Sequence, residues 1–293
     1  MMRGQTALLQ GGGVDATGRI SVVVPTYNQA DYLAACLDSL WFQDWPALEI
    51  VVVADPSPDE TLGVLAAYET AVGRDRVSYA SRLEPDGTVS RTWHDRYPKQ
   101  GRELIVIRNE VRQGHTQSYN IGFQAARGDY CTYVASDDLC HPRMLSALAG
   151  PLVRDEADFV YADTFIVDDA MRILREFKLP DYDFGSCFCD WYLCGVAKLY
   201  RRSLHARFGW YDPAYLANDH EFYLRLAMGG ARFVHIPKTL YSIRSHDQEG
   251  RARDVHSEEN WRRLMRESSE LVRKARAFQE KTRSSPSGEP SPA

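Results

Sequence analysis

Two adjacent carboxylates, Asp137 and Asp138, are the residues in this sequence whose types and spacing most directly suggest chemistry. They follow Ser136 and a short β-prone run, residues 130–135. Two acidic side chains at the end of a buried strand cost free energy unless a cation lies beside them. Carboxylate oxygens suit Mn²⁺ and Mg²⁺, and Mg²⁺ commonly binds between carboxylates and substrate phosphates. The stretch therefore indicates either a metal–phosphate site or a polar turn before a helix with Pro142 in its first turn.

Composition and charge exclude several functional classes. The chain has 293 residues, of which 44% are hydrophobic, enough for one large or two small domains. Its net charge of −5 argues against a general nucleic-acid-binding protein. No apolar run approaches the roughly 20 residues that a membrane-spanning helix needs. Residues 1–19 lack the long apolar core of a secretory signal, so we expect a cytoplasmic protein.

The six cysteines fit a reducing compartment. Cys36 and Cys131 lie in apolar, periodic surroundings and are expected to be buried as small hydrophobic side chains. Cys187, Cys189 and Cys194 cluster, but their spacing matches no paired C-x-x-C pattern. We therefore do not expect a structural zinc site.

Apolar patterning in the first half predicts alternating strands and helices, the arrangement of a parallel sheet covered by helices. The predicted strands are residues 20–24, 48–54, 103–109 and 130–135, and the predicted helices are 30–42, 61–71, 116–126 (ended by Gly128) and 142–153. Ligands bind beyond the carboxyl ends of strands in such sheets. The polar segments PTYN, ADPSPD and SDD lie at three such ends, which favours the site over the turn.

The second half differs in pattern. It predicts antiparallel strands at 159–169 and 172–179, a helix at 217–227 and short strands at 233–236 and 239–243, while residues 74–103 form either a hairpin or a long loop. The expected organisation is a flexible tail (1–18), two halves of one domain (19–155 and 156–250), a C-terminal helix (255–280) and a disordered tail (281–293).

Five motifs occur in order and at spacings compatible with one domain: SVVVPTYNQADYLAACLDSL, EIVVVADPSPDET, NIGFQAARGDYCTYVASDDLCHPRML, FGWYDPAYLANDHEFYLRL and HIPKTLYSIRSH. In this order they closely resemble the family-2 glycosyltransferases of the GT-A fold. The match is close over residues 19 to 155 and looser beyond. The resemblance implies a Rossmann-like mixed, mostly parallel α/β sheet with flanking helices, followed here by the C-terminal helix. It further implies a nucleotide-diphospho-sugar donor, usually a divalent metal such as Mn²⁺ or Mg²⁺, and inversion at the anomeric carbon.

Position by position, the resemblance assigns roles to residues of this chain. It implies that a set of residues binds the nucleotide-sugar: Pro25, Thr26, Tyr27, Asn28, Asp55, Gly114, Asn120 and Ser136. A carboxylate at Asp55 accepts from an imide N–H, which uracil has and cytosine lacks, so UDP is favoured. Asp137 matches the last acid of the metal-binding D-x-D motif, and Asp138 is the acid that often follows it. Asp219 resembles the catalytic base.

Further roles follow less directly. His246 resembles a histidine near the diphosphate, where His246 and Arg244 are expected to bind the metal or the leaving group. Asn218, Glu221 and Trp191 are candidates for the acceptor site, and Trp191 is equally compatible with the core.

Three departures from the family pattern bear on activity. Ala54 and Ala135 stand where the family has the first acids of its two aspartate motifs, and Asn218 replaces the glutamate of its E-D motif. An inactive relative that serves as a nucleotide-binding or partner module therefore stays open. A nucleotidyltransferase is disfavoured, because PTYNQADY has neither the glycine nor the lysine of a triphosphate loop.

The expected partners are the donor and a hydroxyl acceptor, which is a saccharide, a lipid-linked molecule or another alcohol. Relatives in bacteria commonly build cell-surface polysaccharide, which suggests that pathway. Trp261, Leu264, Met265 and Leu271 belong to one apolar stripe on the basic C-terminal helix. That stripe indicates either docking on the domain or contact with the inner face of the membrane.

Overall fold

The computed structural model of the chain describes residues 18–245 and 257–284. Most of the predicted N-terminal tail, His246 and residues 285–293 of the predicted C-terminal tail lie outside the described residues. Within them, the strands are β1 (Ile20–Thr26), β2 (Leu48–Ala54), β3 (Arg76–Leu83), β4 (Val89–Asp95), β5 (Arg102–Arg108), β6 (Tyr130–Tyr133), β7 (Leu139–Cys140), β8 (Phe159–Val167), β9 (Ile173–Phe177), β10 (Ala197–Arg201) and β11 (Phe233–Arg244). The helices are α1 (Leu33–Trp41), α2 (Thr61–Arg74), α3 (His115–Ala125), α4 (Met144–Val153), α5 (Phe184–Phe188), α6 (Ser203–Phe208), α7 (Asn218–Met228) and α8 (Glu258–Ser284).

A nine-stranded mixed sheet carries the fold. Its order is β5-β2-β1-β6-β10-β8-β11-β7, with β9 paired to β8. The strands β5, β2, β1 and β6 run parallel, whereas β10 is antiparallel to both of its neighbours. The order reverses beside β1, since β2 lies on one side of it and β6 on the other. Such a reversal opens a crevice at the carboxyl ends of the two strands that flank it.

Helices cover both faces of the sheet, which explains why β1 and β2 are apolar along almost their whole length. Side chains alternate between the two faces of a strand. Val22 and Val24 pack on one side among residues of α1, α2 and α4. Val23 packs on the other among residues of α3 and α7. The β-branched runs of the sequence therefore form the central layer of a three-layer domain.

The buried carboxylate of Glu49 joins the amino ends of β1 and β2 to the turn before β6. It accepts hydrogen bonds from the Ser21 hydroxyl and from the backbone N–H groups of Arg127 and Gly128. Burial raises the pKa of Glu49, but the hydrogen bonds from Ser21 and Arg127 lower it by more, so the pKa of Glu49 lies below its ordinary value.

The prediction that Gly128 caps α3 is wrong, because Ala126 is the C-cap. Gly128 instead lies so close to β1 that a Cβ atom would come 2.5 Å from the Ser21 hydroxyl oxygen.

The structure decides between the two alternatives predicted for residues 74–103 and corrects the strands predicted at 233–236 and 239–243. Residues 74–103 contain the antiparallel hairpin β3–β4, one of the two predicted alternatives, and β4 is exposed along its length. The two short strands predicted at 233–236 and 239–243 are one irregular strand, β11, with register shifts between Ile236 and Tyr241. Pro237 lies in this interval and lacks an N–H for the ladder, which accounts for the break in its pattern.

The C-terminal helix α8 docks on the domain. Its residues Leu271, Val272 and Ala275 are buried, and Glu267 accepts from the backbone N–H groups of Leu216 and Ala217 at the entry to α7. The helix continues to Ser284, four residues past its predicted end at residue 280. Its first turns leave Trp261 53% exposed. Within residues 18–245 and 257–284, no helix combines the length and the apolarity that a membrane crossing requires.

Candidate functional site

A cleft of about 410 Å³ opens where β1, β2 and β6 end, and we call it the first cleft. It gathers seven of the residues that the sequence assigned to nucleotide, sugar or metal: Pro25, Thr26, Tyr27, Asp55, Gly114, Ser136 and Asp137. The convergence follows from the parallel pairing of β1 with β2 and β6, which aligns their carboxyl ends. Ala135 also lines the cleft, so the missing first acid of the D-x-D motif would have faced the same space.

Asp55 is buried and holds the loop that leads into α3. Its Oδ1 accepts from the Asn109 amide at 2.8 Å, and its Oδ2 accepts from the backbone N–H groups of Gln113 and Gly114 at 3.0 and 2.9 Å. A carboxylate offers about four acceptor positions, so one position on Oδ1 is left for a ligand. Gly114 has a positive φ of 78°, which suits glycine, and it is the N-cap residue of α3, at the edge of the cleft.

The first cleft also contains residues that the sequence analysis missed. The guanidinium of Arg112 lies 3.9 Å from the centre of the Tyr27 ring. His115 and Tyr119 come from one face of α3, and burial lowers the pKa of His115. The sequence signal for His115 and Tyr119 was their helical spacing of four residues, directly after Gly114, which was already assigned to the binding site. Arg112 carried no such pattern, because its contact with Tyr27 joins two loops far apart in sequence.

Two predicted nucleotide-binding residues lie beside the cleft and do not line it. Asn28 has a φ of 56° and donates its backbone N–H to the Ser57 hydroxyl, so it shapes the turn after β1. The side chain of Asn120 is buried and bonds both the N–H and the C=O of Tyr211. In this structure Asn120 ties α3 to the segment before α7.

The two acids after β6 have different surroundings. Asp137 faces the first cleft and accepts from the Gln29 amide at 3.3 Å. Asp138 is buried, and its two oxygens accept from the Tyr241 hydroxyl and the Arg244 N–H. Burial, with the neighbouring charge of Asp137, raises the pKa of Asp138 to about 7. Asp138 thus fastens β11 to the loop, and of these two acids only Asp137 lines the first cleft.

Arg244 spans the edge of the site. Its guanidinium donates to the backbone oxygens of Asp137 and Asp169 and lies over the Tyr32 ring at 4.7 Å. The residue is thereby held next to Asp137, the predicted metal ligand.

Among the described residues, no group of three or more His, Cys, Asp or Glu side chains is arranged to hold a metal, and this includes the cysteines at 187–194. All six cysteines are buried and free, which confirms the prediction for Cys36 and Cys131.

A second cleft of about 220 Å³ contains Asp219 and Trp191. Asp219 lies in the first turn of α7, where the helix dipole favours a negative charge. Its Oδ2 accepts from the Tyr133 hydroxyl, and its Oδ1 accepts from the Tyr223 hydroxyl at 3.1 Å. Two phenols therefore fix the orientation of a carboxylate at the cleft wall. The pattern around β6 did not indicate that Tyr133 would reach α7.

The other predicted acceptor residues have partners within the fold. The Asn218 amide donates to the Thr116 hydroxyl at 2.6 Å and is buried. Glu221 is buried and forms a two-point ion pair with Arg225 at 2.8 and 2.6 Å. Both interactions hold α7 in place, Asn218 against α3 and Glu221 along its own helix.

The two clefts adjoin across a pair of stacked tyrosines. Tyr119 lines the first cleft, and its ring centre lies 3.9 Å from that of Tyr133. Tyr133 in turn donates to Asp219, which lines the second cleft. The arrangement puts the Asp219 carboxylate close to the cleft that gathers the residues predicted to bind the nucleotide-sugar.

The family comparison decides the identity of the fold. The sequence model of glycosyl transferase family 2 matches residues 21–90 and 85–208, more than half of the chain. The chain belongs to glycosyl transferase family 2.

Relatives of this family-2 chain are named as glycosyltransferases. A PGL/p-HBAD biosynthesis glycosyltransferase of Mycobacterium tuberculosis H37Ra is 24% identical over 233 residues, 78% of each chain. GlyG of Streptococcus pneumoniae is 27% identical over 151 residues, 52% of this chain and 40% of GlyG. The uncharacterized glycosyltransferase YibD of Escherichia coli K12 is 25% identical over 145 residues, 50% of this chain and 33% of YibD. The family-2 chain thus matches less than half of the length of the last two proteins.

Solved structures share the fold of the family-2 chain. TarS of Staphylococcus aureus, residues 1–349 in complex with UDP-GlcNAc, superposes with a TM-score of 0.62 at 21% identity, covering 86% of this chain and 66% of TarS. The mannosyltransferase PcManGT of Pyrobaculum calidifontis, in complex with GDP-Man and Mn²⁺, superposes with a TM-score of 0.59 at 18% identity over 92% of this chain and 76% of its own. These likenesses confirm the predicted GT-A fold, a mixed α/β sheet with flanking helices and a C-terminal helix.

Replacing Asp55 by alanine is expected to free the loop before α3. The loop loses the acceptor of two backbone N–H groups and of the Asn109 amide. Hydrogen bonds to charged groups contribute roughly 1.5–3 kcal/mol each, and water at the cleft can replace some of the three, so we expect a loss of at least about 3 kcal/mol in the free energy of unfolding. Hydrogen exchange at Gln113 and Gly114 should rise at least about tenfold relative to the wild type.

Asp59→Ala is the matched control, because Asp59 accepts from Ala30 and Thr61 and not from this loop. It should leave exchange at Gln113 and Gly114 unchanged. Equal exchange in Asp55→Ala and wild type would contradict the role given to Asp55.

Proposed function

We propose that this chain is an inverting glycosyltransferase that transfers a sugar from a nucleotide-diphospho-sugar to a hydroxyl acceptor. The observation that carries the proposal is the junction of the two clefts, with Asp137 in the first and Asp219 in the second. Transfer needs a binding place for the donor diphosphate and a base for the acceptor proton within one assembly. Membership in glycosyl transferase family 2 supports the same reaction class.

The donor is proposed to be a UDP-sugar bound in the first cleft. The remaining acceptor position on Asp55 Oδ1 suits the imide N–H of uracil. Tyr27 offers a ring to the cleft, and Pro25, Thr26 and Ser136 complete the wall around the nucleotide. The TarS complexes contain UDP and UDP-GlcNAc, which supports UDP, whereas the PcManGT complex contains GDP-Man.

Mn²⁺ or Mg²⁺ is proposed as the metal, with Asp137 as its protein ligand and His246, outside the described residues, as a second. One carboxylate in an open cleft fits an ion that takes most of its ligands from phosphates and water. It does not fit an all-protein cage, for which the described residues lack the ligands. When bound, the ion would neutralise charge that develops on the leaving diphosphate. Arg244, fixed beside Asp137, adds positive charge near the same place.

Asp219 is proposed as the base. The acceptor hydroxyl would bind in the second cleft, where Trp191 offers an aromatic face to a sugar ring. As the hydroxyl oxygen forms a bond to the anomeric carbon, its proton passes to Asp219 and the bond to the donor diphosphate breaks on the opposite side. That displacement inverts the configuration at the anomeric carbon. Tyr133 and Tyr223 hold the carboxylate in place through both of its oxygens.

A second candidate is an inactive relative that binds a nucleotide or a partner protein. Ala135 removes one acid from the first cleft, and the Asn218 side chain is already bonded to Thr116. Release of UDP from a UDP-sugar in the presence of Mn²⁺ would exclude this candidate. The proposed pathway is synthesis of cell-surface polysaccharide or glycoconjugate; the mycobacterial relative is named for a biosynthetic role, in PGL/p-HBAD biosynthesis.

Asp219→Asn is expected to abolish transfer while donor binding persists. The amide keeps the shape of the side chain but cannot take the acceptor proton, and general bases contribute about 10²- to 10⁴-fold in rate. The measurement is UDP release from UDP-sugars, with water or a saccharide as acceptor, beside calorimetric titration with UDP. The control, Asp212→Asn, changes an acid in the loop before α7. Unchanged turnover in Asp219→Asn would remove Asp219 from the role of base.

Asp137→Ala is expected to abolish the metal dependence of UDP binding. In the wild type, Mn²⁺ should tighten UDP binding at least about tenfold, because the ion joins the diphosphate to Asp137. The variant should bind UDP with the same affinity in the presence and absence of Mn²⁺. Asp86→Ala, in the exposed hairpin turn, controls for loss of an acid. A Mn²⁺ effect of full size in Asp137→Ala would refute the ligand assignment.

We also propose that the exposed start of α8 contacts the inner face of the membrane. Trp261 and Met265 are exposed beside Arg266, a combination typical of interfacial helices. Trp261→Ala with Met265→Ala should lower binding to vesicles that contain anionic lipid by about tenfold or more in a sedimentation assay. Met171→Ala, an exposed methionine on the β8–β9 turn, should bind as the wild type does. Equal binding by the double variant would exclude this contact.

A further inference from the structure

Lys198 is a buried lysine that none of the roles proposed above uses. It lies on β10, with a side chain that is 0% exposed, and its Nζ has no hydrogen-bond partner among the described residues. The other five lysines of the chain, Lys99, Lys178, Lys238, Lys274 and Lys281, are exposed. An ammonium without hydrogen bonds is costly in a protein interior, and an apolar side chain of similar volume is often neutral or stabilising there. Packing alone therefore does not account for a lysine at this position.

The ammonium of Lys198 lies on the face of one particular ring. Its Nζ is 3.2 Å from the centre of the Tyr133 ring. Tyr119 stacks on Tyr133 at 3.9 Å between ring centres, so the ring is enclosed between an ammonium and a second aromatic ring. A desolvated cation on a tyrosine face is attracted by the ring quadrupole. This contact offsets part of the free-energy cost of burying the ammonium without hydrogen bonds.

Tyr133 connects this cation to the second cleft. Its hydroxyl donates to the Asp219 carboxylate, so ammonium, ring, hydroxyl and carboxylate form one continuous series. A positive charge on the ring polarises the hydroxyl and makes it a stronger hydrogen-bond donor. Burial lowers the pKa of Lys198 to about 8, while the charges of Asp219 and Asp138 oppose that shift. The lysine therefore retains substantial positive charge at neutral pH.

Several other titratable groups face this series from the elements packed around it. Around Lys198 these are Asp219, Asp138, Cys194 and Cys140. Around Asp219 they are His115, Tyr119, Tyr133, Tyr192, Cys194, Tyr211 and Tyr223. Burial raises the pKa of the cysteines and tyrosines in both sets, so they stay neutral near pH 7. Burial also lowers the pKa of His115, which leaves Lys198 as the cation of this group.

We propose that Lys198 is a positioning residue for Asp219: its buried ammonium, seated on the Tyr133 ring, keeps the carboxylate hydrogen-bonded to the Tyr133 hydroxyl and so fixed in orientation. The inference deepens the proposed function, because it rests on Asp219 as the acceptor base. The charge of Asp138 also acts on Lys198, but the hydrogen bonds of Asp138 go to Tyr241 and Arg244, whereas Asp219 is linked to the lysine through the ring and hydroxyl of Tyr133. The lysine would exert its effect through the tyrosine without touching donor or acceptor.

The first test needs neither donor nor acceptor. With only six lysines in the chain, protein labelled with ¹⁵N at the lysine side chains gives few resonances, and Lys198→Met identifies the one from Lys198. In the wild type this resonance should titrate with a midpoint of about 8. Asp219→Asn removes the opposing charge and should lower that midpoint by about one pH unit or more. Asp212→Asn, an acid outside the series, should leave it unchanged.

This titration tests whether the charges of Lys198 and Asp219 interact. An equal midpoint in Asp219→Asn and wild type would overturn the proposal, because it would show that the two charges do not interact. A lowered midpoint supports it even if no sugar donor is turned over. The result is therefore independent of whether the chain proves to be an active transferase.

The second test separates positioning from a structural role. Lys198→Met should leave the thermal unfolding midpoint equal or higher, because it removes a buried charge. The same variant should release UDP from UDP-sugars with a kcat at least about tenfold lower at pH 7, while its Kd for UDP stays within about twofold. Lys238→Met, an exposed lysine on β11, is the matched control and should retain wild-type kcat.

A stably folded Lys198→Met variant with wild-type kcat would refute the positioning role. If Lys198→Met unfolds, Tyr133→Phe serves in its place, because it keeps the ring and removes only the hydroxyl that reaches Asp219. It should lower kcat in the same way and leave UDP binding intact, and unchanged kcat there would count equally against the proposal. Absence of turnover in the wild type would refute the proposed function and leave the ¹⁵N titration as the deciding measurement.

Discussion

Parallel pairing between β1 and its two neighbours is the constraint on which the rest of this structure depends. β2 and β6 pair with β1 in continuous register, so all three strands end at one edge of the sheet. The chain must then place three loops side by side, and every one of them is polar. Glu49 secures the opposite ends of β1 and β2, where its carboxylate binds the turn that feeds β6. The strands whose carboxyl ends form the first cleft are thus held in alignment at their amino ends, at the opposite edge of the sheet.

The acids in and beside the two clefts divide into buried ones and half-buried ones. Asp55 and Asp138 are buried, and backbone N–H groups provide much of their hydrogen bonding. Asp137 and Asp219 are half-buried: Asp137 lines the first cleft, which Asp55 also borders, and Asp219 lines the second. The division has a physical basis, since a carboxylate withdrawn from water requires several donors, whereas one at a cleft wall keeps access to a ligand. It also explains why adjacent residues such as Asp137 and Asp138 differ so strongly.

The sequence was sufficient where local pattern controls structure. Buried β-branched runs predicted β1 and β2, and the polar breakers after them predicted the loops of the first cleft. It was insufficient where a side chain acts across the fold. Nothing near Tyr133 indicates that its hydroxyl reaches α7, and nothing near Lys198 indicates that a lysine on an apolar strand lies beneath that ring. Gly128 was misassigned for a related reason, because its requirement for a small residue comes from β1 and not from the end of α3.

The hairpin β3–β4 is closed at its own base, where the Arg96 N–H donates to the Asp75 carbonyl and Tyr97 packs against Trp41 and Tyr68. The two segments of the family match overlap at residues 85–90, which cover most of the turn of this hairpin and the first two residues of β4. A segment anchored in this way can differ in length without altering the spacing between β2 and β5. The connection between β2 and β5 therefore offers a place where the surface of the protein can vary between relatives while the two clefts stay unchanged.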